Sequence, residues 1–405
     1  MLTKVVIEQI VESQQERLKK IDSGLPRTLA VFDQPGSNAL IVSGIRRCGK
    51  STLLQQIRER SGEPSVYLNF EDPRLAGFDL QDFNRLHEIA EKSGVFNYYF
   101  DEIQEVDQWE SFVRFRLDEG YRIFITGSNA TLLSKELGTK LTGRHISKEL
   151  FPFSYPEYLL FSSQKSGKVS LISYLDTGGF PEYLKTGITD ILMQTFNDIL
   201  IRDITLRYNL KNISLIQQLG VWLVSNTGKL FTGNSLRKLF QINSSSTVME
   251  YLSYFANAWL FFYVPRFSYS LKVQSVNPKK VYAIDNGFIK ANSVVFTPDH
   301  GRLLENIVYL HLRRLTTEIY YFSEKKECDF VVFEQKKITG VYQVCWQLDQ
   351  DNMQREISGL QEAMFFFGLE KGTIITLDQT ELFTSEGKTI VVQPFYEWVN
   401  SLNTG

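Results

Sequence analysis

Eight consecutive residues, Gly44-Ile45-Arg46-Arg47-Cys48-Gly49-Lys50-Ser51, place two glycines ahead of a lysine and a hydroxyl. That spacing suits a polyphosphate. A loop that wraps phosphates must bring backbone N–H groups close to their oxygens, and glycine permits the approach. Lys50 is placed to reach the β- and γ-phosphates, and the Ser51 hydroxyl to ligate magnesium. Gly44 to Ser51, with Thr52 beyond them, are therefore the candidate nucleotide-binding residues. Chance would give this pattern in roughly 1% of chains of this length.

A second group of candidates follows in Asn97-Tyr-Tyr-Phe-Asp101-Glu102, an apolar run ending in two acids. Asp101 is placed to hold magnesium opposite Ser51, so the candidate metal residues are Ser51 and Asp101. Glu102 is the candidate to polarise the attacking water, which requires a carboxylate near the γ-phosphate. A third run, Tyr121 to Thr126, ends in Gly127-Ser128-Asn129. Ser128 and Asn129 are both candidates to orient that water, with Asn129 preferred for its two-sided amide; the other reading is a simple turn. Arg144 is a candidate stabiliser of transition-state charge, in cis or on a neighbouring subunit. Its alternative is a structural pair with Glu149 or Glu157. Arg46 and Arg47 touch phosphate or a neighbouring subunit, or face solvent.

These residues need elements to hold them. Ala39 to Val42 is a short apolar run typical of a buried parallel strand, and Ser51 to Glu59 reads as a helix whose positive end faces the anion. Further strands are expected at Ser65–Asn69, Tyr98–Phe100, Ile123–Thr126 and Ile146–Leu150, with helices between, which implies a parallel sheet covered on both faces. A helical segment from about 170 to 208 has the size of a lid.

Composition bounds the rest. The chain has 405 residues, enough for two or three domains of about 150. No apolar run approaches the roughly 18 to 20 residues of a membrane helix, and the amphipathic N-terminus lacks a signal-peptide core. The expected location is cytoplasmic. Three distant cysteines, Cys48, Cys328 and Cys345, suggest neither a disulfide framework nor a zinc site. A net charge of −2 gives no overall attraction to nucleic acid, so DNA binding would need a local basic face.

Residues 213 to 284 change character. Helices at Ile213–Ser225, Leu236–Phe240 and 244–255, then strands at 259–265 and Val281–Ile284, suggest a winged helix-turn-helix. The positive charge near it is Lys229, Arg237, Lys238, Arg266, Lys272, Lys279 and Lys280. Beyond Gly301, Glu305 on a helix, Asp329 on a strand and Gln343-Val344-Cys345 on another resemble a restriction-endonuclease layout, in which carboxylates bind magnesium and a Glu-x-Lys strand completes the site. Here Gln343 and Cys345 stand where Glu and Lys are expected. An amide is a poor ligand for a hard cation, and a thiol brings no positive charge.

GIRRCGKSTLL, FDEIQEV, ITGSNATLLS and LTGRHISKELFPFSYPEYL resemble the bacterial and archaeal AAA+-type P-loop ATPases with a fused C-terminal domain of unknown function. RDITLRYNLKN, GRLLENIVYLHL, ECDFVV and YQVCWQL extend the resemblance over nearly the whole chain. It implies an α/β fold: an AAA+-like P-loop NTPase sheet with helical lid over 1–210, a winged helix-turn-helix over 211–300, and a degenerate restriction-endonuclease-like domain over 301–405. In AAA+ ATPases a polar residue placed like Ser128 or Asn129 is termed sensor 1. The function expected is a Mg-ATP-dependent switch acting on double-stranded DNA as a homo-oligomer, without a membrane. The rival is a signalling or scaffold ATPase that binds a protein partner, and a weaker third is a magnesium-dependent nuclease.

Overall fold

The structure is a computed structural model that describes residues 2–20, 22–29, 36–130, 141, 143–295, 297, 299–385 and 387–402. Contacts divide the chain into two compact units, residues 1–151 with 257–259, and residues 152–256 with 260–405.

Five short strands build the first unit: β1 Ala39–Ser43, β2 Ser65–Asn69, β3 Asn97–Asp101, β4 Arg122–Gly127 and β5 His145–Glu149. All pair in parallel, in the order β2-β3-β4-β1-β5. β1 and β3 are buried along their whole length, which is why they read as continuous apolar runs instead of alternating ones. The helices Lys50–Ser61, Leu80–Lys92 and Trp109–Asp118 connect them. An aromatic cluster fills one face, with Phe83 stacked on Phe112 at 4.6 Å between centroids and Phe70, Phe78 and Phe100 around them. The N-terminal helix Lys4–Leu18, capped by Thr3, adds Ile7, Ile10 and Val11 to this core. Burying each such side chain contributes roughly 1.5–3 kcal/mol. The ITGSNATLLS motif runs into 131–140, which lie outside the described residues.

The second unit begins with helices. The segment expected to be helical, with a turn at Gly178-Gly179-Phe180-Pro181-Glu182, consists of Lys168–Thr177, Pro181–Thr186 and Asp190–Asp198, the last continuing into a π-helical turn Ile199–Leu206. Gly178-Gly179 makes the first break. Gly178 has φ 68°, and a Cβ on Gly179 would lie 2.1 Å from the Phe153 carbonyl oxygen. Helices Ile213–Ser225, Gly233–Leu239 and Ser245–Asn257 follow. Next to them is an antiparallel three-stranded sheet in the order β6-β8-β7, formed by β6 Leu230–Phe231, β7 Phe261–Pro265 and β8 Lys279–Ala283. A short helix, Leu271–Val276, is inserted between β7 and β8.

The remainder is the helix His300–Leu315 and a six-stranded mixed sheet in the order β13-β14-β12-β11-β10-β9. Its strands are β9 Ile319–Ser323, β10 Glu327–Glu334, β11 Lys337–Val344, β12 Lys371–Thr376, β13 Glu381–Ser385 and β14 Lys388–Pro394. The helix Met353–Phe367 covers it, with Leu360, Ala363 and Met364 in the core against Val331, Val341 and Ile374. The two sheets of this unit are joined at one edge, where Arg266 bridges Tyr321 and the Phe267 N–H donates to the Tyr321 carbonyl at 2.7 Å.

Candidate nucleotide site

The parallel pairing of β1 with β4 sets Ser43 beside Gly127, so the phosphate loop and the Ser128-Asn129 turn leave the same end of the sheet. Gly44 is required there: a Cβ would lie 2.1 Å from the Leu150 carbonyl oxygen. Gly49 sits at φ 101°, in the left-handed region open to glycine, and Arg47 accepts φ 64°. No side chain caps the helix Lys50–Ser61, whose first N–H groups stay available to an anion. Ser51 and Thr52 are exposed at its start.

Lys50 is buried, with Nζ 3.1 Å from Glu102 Oε1 and donating to the Ile45 carbonyl at 3.2 Å. Burial opposes its charge, yet Glu102 holds the lysine above its ordinary value. The same pair acts on Glu102: burial pushes its carboxyl up, and Lys50 with the Gln104 amide more than offsets this, leaving it lowered. The second oxygen, Glu102 Oε2, accepts from Gln104 Nε2 at 2.5 Å and from the Ser128 N–H at 3.2 Å. Glu102 itself stands at φ 52°, an uncommon conformation for a non-glycine residue, and its N–H donates to Thr126 Oγ1 at 3.1 Å.

Asp101 is fully buried. Thr126 Oγ1 donates to its Oδ1, and Tyr67 OH at 2.9 Å and Asn69 Nδ2 at 3.3 Å donate to Oδ2. The Ser51 hydroxyl, with those of Thr126 and Tyr67, favours its ionised form. Burial first, and Glu102 second, raise its pKa. A buried carboxylate and a serine hydroxyl that favours its ionised form are hard oxygen donors of the kind a magnesium ion shared with a nucleotide takes, so these residues fit that group.

Sequence reasoning put Ser51 with Asp101 at magnesium, Lys50 at phosphate and Glu102 at water, but missed that Lys50 and Glu102 pair, and missed their supports. Thr126, Gln104, Tyr67 and Asn69 hold the two acids; Thr126 and Asn69 lie near the ends of β4 and β2, whereas Tyr67 is in mid-strand and Gln104 in the turn after β3. Arg27 was also missed. It donates to the Cys48 carbonyl at 3.0 Å and to the Phe151 carbonyl at 2.7 Å, tying the phosphate loop to the chain after β5. Arg46 pairs with Glu71 at 2.7 Å. Of the two candidates after β4, Ser128 touches Glu102 directly, while Asn129 is buried beside it in sequence at 3% exposure.

Arg144 stands apart from the other candidates. β5 runs parallel to β1 with Ala39 opposite His145, and the Arg144 carbonyl accepts from the Ala39 N–H. Arg144 thus lies at the start of β1 and the phosphate loop at its end, separated by five residues of strand, about 16 Å at 3.3 Å per residue. It cannot act on its own nucleotide from there. Nor does it pair as expected: its guanidinium meets Asp118, and Glu157 serves instead in the capping box of the helix Tyr155–Ser162.

Residues 36–159 match a family described as an AAA domain, and residues 168–299 match a domain of unknown function, DUF8612. The chain is 33% identical to the uncharacterized protein MJ1544 of Methanocaldococcus jannaschii, over 98% of this chain and 95% of that protein. An uncharacterized protein of Haemophilus influenzae is 31% identical, over 77% of this chain and 83% of its own length. The chain belongs to this AAA-type P-loop family. Solved structures with some likeness are Cdc6p from Pyrobaculum aerophilum (TM-score 0.27, 12% identity, 74% of this chain and 94% of that one) and AMPPCP-bound DnaA from Aquifex aeolicus (TM-score 0.25, 15% identity, 60% and 85%). The strand order and the phosphate loop, not these scores, carry the assignment of the P-loop fold.

Elsewhere in this AAA-type chain, the basic residues expected near a DNA face divide: Lys229, Lys238 and Lys272 are exposed and Arg237 and Lys279 half-buried, while other positions carry no free charge. The helix Ser245–Asn257 carries Glu250 and neither lysine nor arginine. Lys280 is 3% exposed and Arg266 pairs with Glu324 at 2.9 Å, which removes both from the expected basic face. No helix among the described residues is long and apolar enough to cross a membrane.

Proposed function

We propose that this chain binds Mg-ATP and hydrolyses it as a conformational switch. The reading is carried by one observation: the buried ion pair of Lys50 with Glu102 lies beside the buried Asp101 at the end of β3, next to the phosphate loop that follows β1. Gly44 to Thr52 would cradle the phosphates with backbone N–H groups, and Ser51 and Asp101 would hold magnesium. The ion, when bound with the nucleotide, neutralises charge across the β- and γ-phosphates. On nucleotide binding Lys50 exchanges its carboxylate partner for phosphate. That frees Glu102 Oε1 to accept a hydrogen bond from the attacking water, while Gln104 and the Ser128 N–H retain Oε2. Charge on the transferring phosphoryl group would be met by Arg144 of a neighbouring copy, which makes the working form a homo-oligomer.

The test is steady-state phosphate release by the purified chain, its Lys50→Ala variant and its Glu102→Gln variant. Full turnover by both variants removes the mechanism.

The switch has two candidate effectors. Double-stranded DNA is supported by the helix pattern of 213–257 followed by β7 and β8, which reads as a winged helix. A protein partner is supported by the bare Ser245–Asn257 helix and the internal position of Lys280, and these specific observations favour it. Turnover measured with and without duplex DNA separates them. Stimulation that falls steeply with salt assigns DNA; indifference at low salt assigns protein.

A further inference from the structure

The second unit contains a buried ion cluster that ATP hydrolysis does not use. Lys280 on β8 directs Nζ to Asp329 Oδ1 at 2.7 Å, Glu327 Oε1 at 2.9 Å and Glu305 Oε1 at 3.2 Å. Two residues along the same strand, and so on the same face, Tyr282 donates its hydroxyl to Glu305 Oε1 at 2.6 Å. Asp329 Oδ2 accepts from the Val344 N–H at 2.9 Å.

Glu305 and Asp329 are the carboxylates that the sequence offers for magnesium, and the structure does bring them together. Their surroundings are closed, however. Gln343 spends both ends of its amide, accepting from the Asp329 N–H at 3.2 Å and donating to Glu356 Oε2 at 2.6 Å. The Cys345 thiol donates to the Gln347 carbonyl at 3.0 Å. Among the described residues, no three His, Cys, Asp or Glu side chains are arranged to hold a metal ion.

Glu305 and Asp329, largely buried, need a cation beside them because an unpaired buried charge is costly, and Glu327 meets the same cation from the exposed rim. An ammonium group has three hydrogens to donate, and here each has a carboxylate oxygen within 3.2 Å. We infer that Lys280 is the resident cation of this centre. It takes the place between Asp329, Glu305 and Glu327 that a divalent ion would need, so the C-terminal sheet carries a metal-independent clasp and not a hydrolytic metal site. The clasp has a mechanical consequence: Lys280 belongs to the β6-β8-β7 sheet and Asp329 to the six-stranded one, so the ion cluster fastens the two sheets where β7 and β9 also touch.

The inference is tested on the full-length, nucleotide-free chain by titrating Mn2+ and reading the free ion by electron paramagnetic resonance. Wild type and Asp329→Asn should bind the same number of ions. Lys280→Met should gain one equivalent that Lys280→Met/Asp329→Asn lacks, and Mn2+ should raise the melting temperature of Lys280→Met alone, by several degrees. A wild-type Mn2+ site removed by Asp329→Asn or by Glu305→Gln overturns the inference, as does a folded Lys280→Met variant that gains no site. The wild-type comparison decides the matter even where Lys280→Met fails to fold. ATP turnover is a separate readout, so neither result bears on the nucleotide site.

Discussion

Lys50 Nζ lies 3.1 Å from Glu102 Oε1, and both side chains are buried. The lysine meant for phosphate and the carboxylate meant for water neutralise one another, so the site holds a satisfied ion pair before any nucleotide arrives. Binding a triphosphate must break this pair, which makes phosphate affinity and readiness of the carboxylate two results of one exchange.

Glu102→Gln removes the competitor for Lys50. ATP should then bind several-fold more tightly, while turnover falls by roughly two orders of magnitude or more through loss of the base. Titration with a fluorescent ATP analogue and a phosphate-release assay read the two effects. Weaker binding in this variant would show that the pair does not compete with nucleotide.

Gln104 positions Glu102 by holding Oε2. Gln104→Ala should lower kcat about tenfold, the value of a hydrogen bond to a charged group, with ATP affinity within about twofold. Loss of a donor to the ionised form also raises the Glu102 pKa. The acid limb of the kcat profile should therefore move to higher pH, a shift that a purely structural role would not produce.

In the proposed mechanism Arg144, at the far end of β1 from the phosphate loop, serves another copy's site. Arg144→Ala should reduce turnover by about tenfold or more. Mixing it with the Lys50→Ala chain should raise turnover above the sum of the two alone, since the second supplies arginine to the intact loop of the first. Failure of the mixture to exceed its components assigns Arg144 to the Asp118 pair alone.

Asp285 accepts from the N–H groups of Gly179 and Gly287, both at 2.7 Å, and burial nevertheless pushes its carboxyl up to about 7 from an ordinary 3.8. Between those values the folded chain keeps a proton that the unfolded chain has released, so stability falls as pH rises through that window. The denaturation free energy of wild type should drop more from pH 5 to pH 8 than that of Asp285→Asn, by roughly 2–4 kcal/mol. Equal slopes would place Asp285 in its ionised form throughout.

Much of the first unit was legible because its signals are local. Ser65–Asn69 has the same limits in sequence and structure, and so does Ile213–Ser225 in the second unit, since a buried strand and a helix each declare themselves within a few residues. β12, β13 and β14 escaped notice: threonine, lysine and glutamate interrupt their apolar residues, and β13 and β14, though a hairpin, join the sheet only through parallel pairing of β14 with β12 and of β12 with β11.

What the sequence by itself determined is the chemistry of the nucleotide site. Glycine spacing, one lysine, one hydroxyl and two adjacent acids have few other uses, and the loop that joins them is contiguous. Tertiary structure alone decided which charges face each other. Register placed Arg144 16 Å or so from the loop it was expected to serve, as five residues at about 3.3 Å require. It also turned Lys280 from a surface base into the centre of a carboxylate cluster. An ion pair between residues 49 positions apart depends on how two sheets meet, and no local pattern in the chain encodes that meeting.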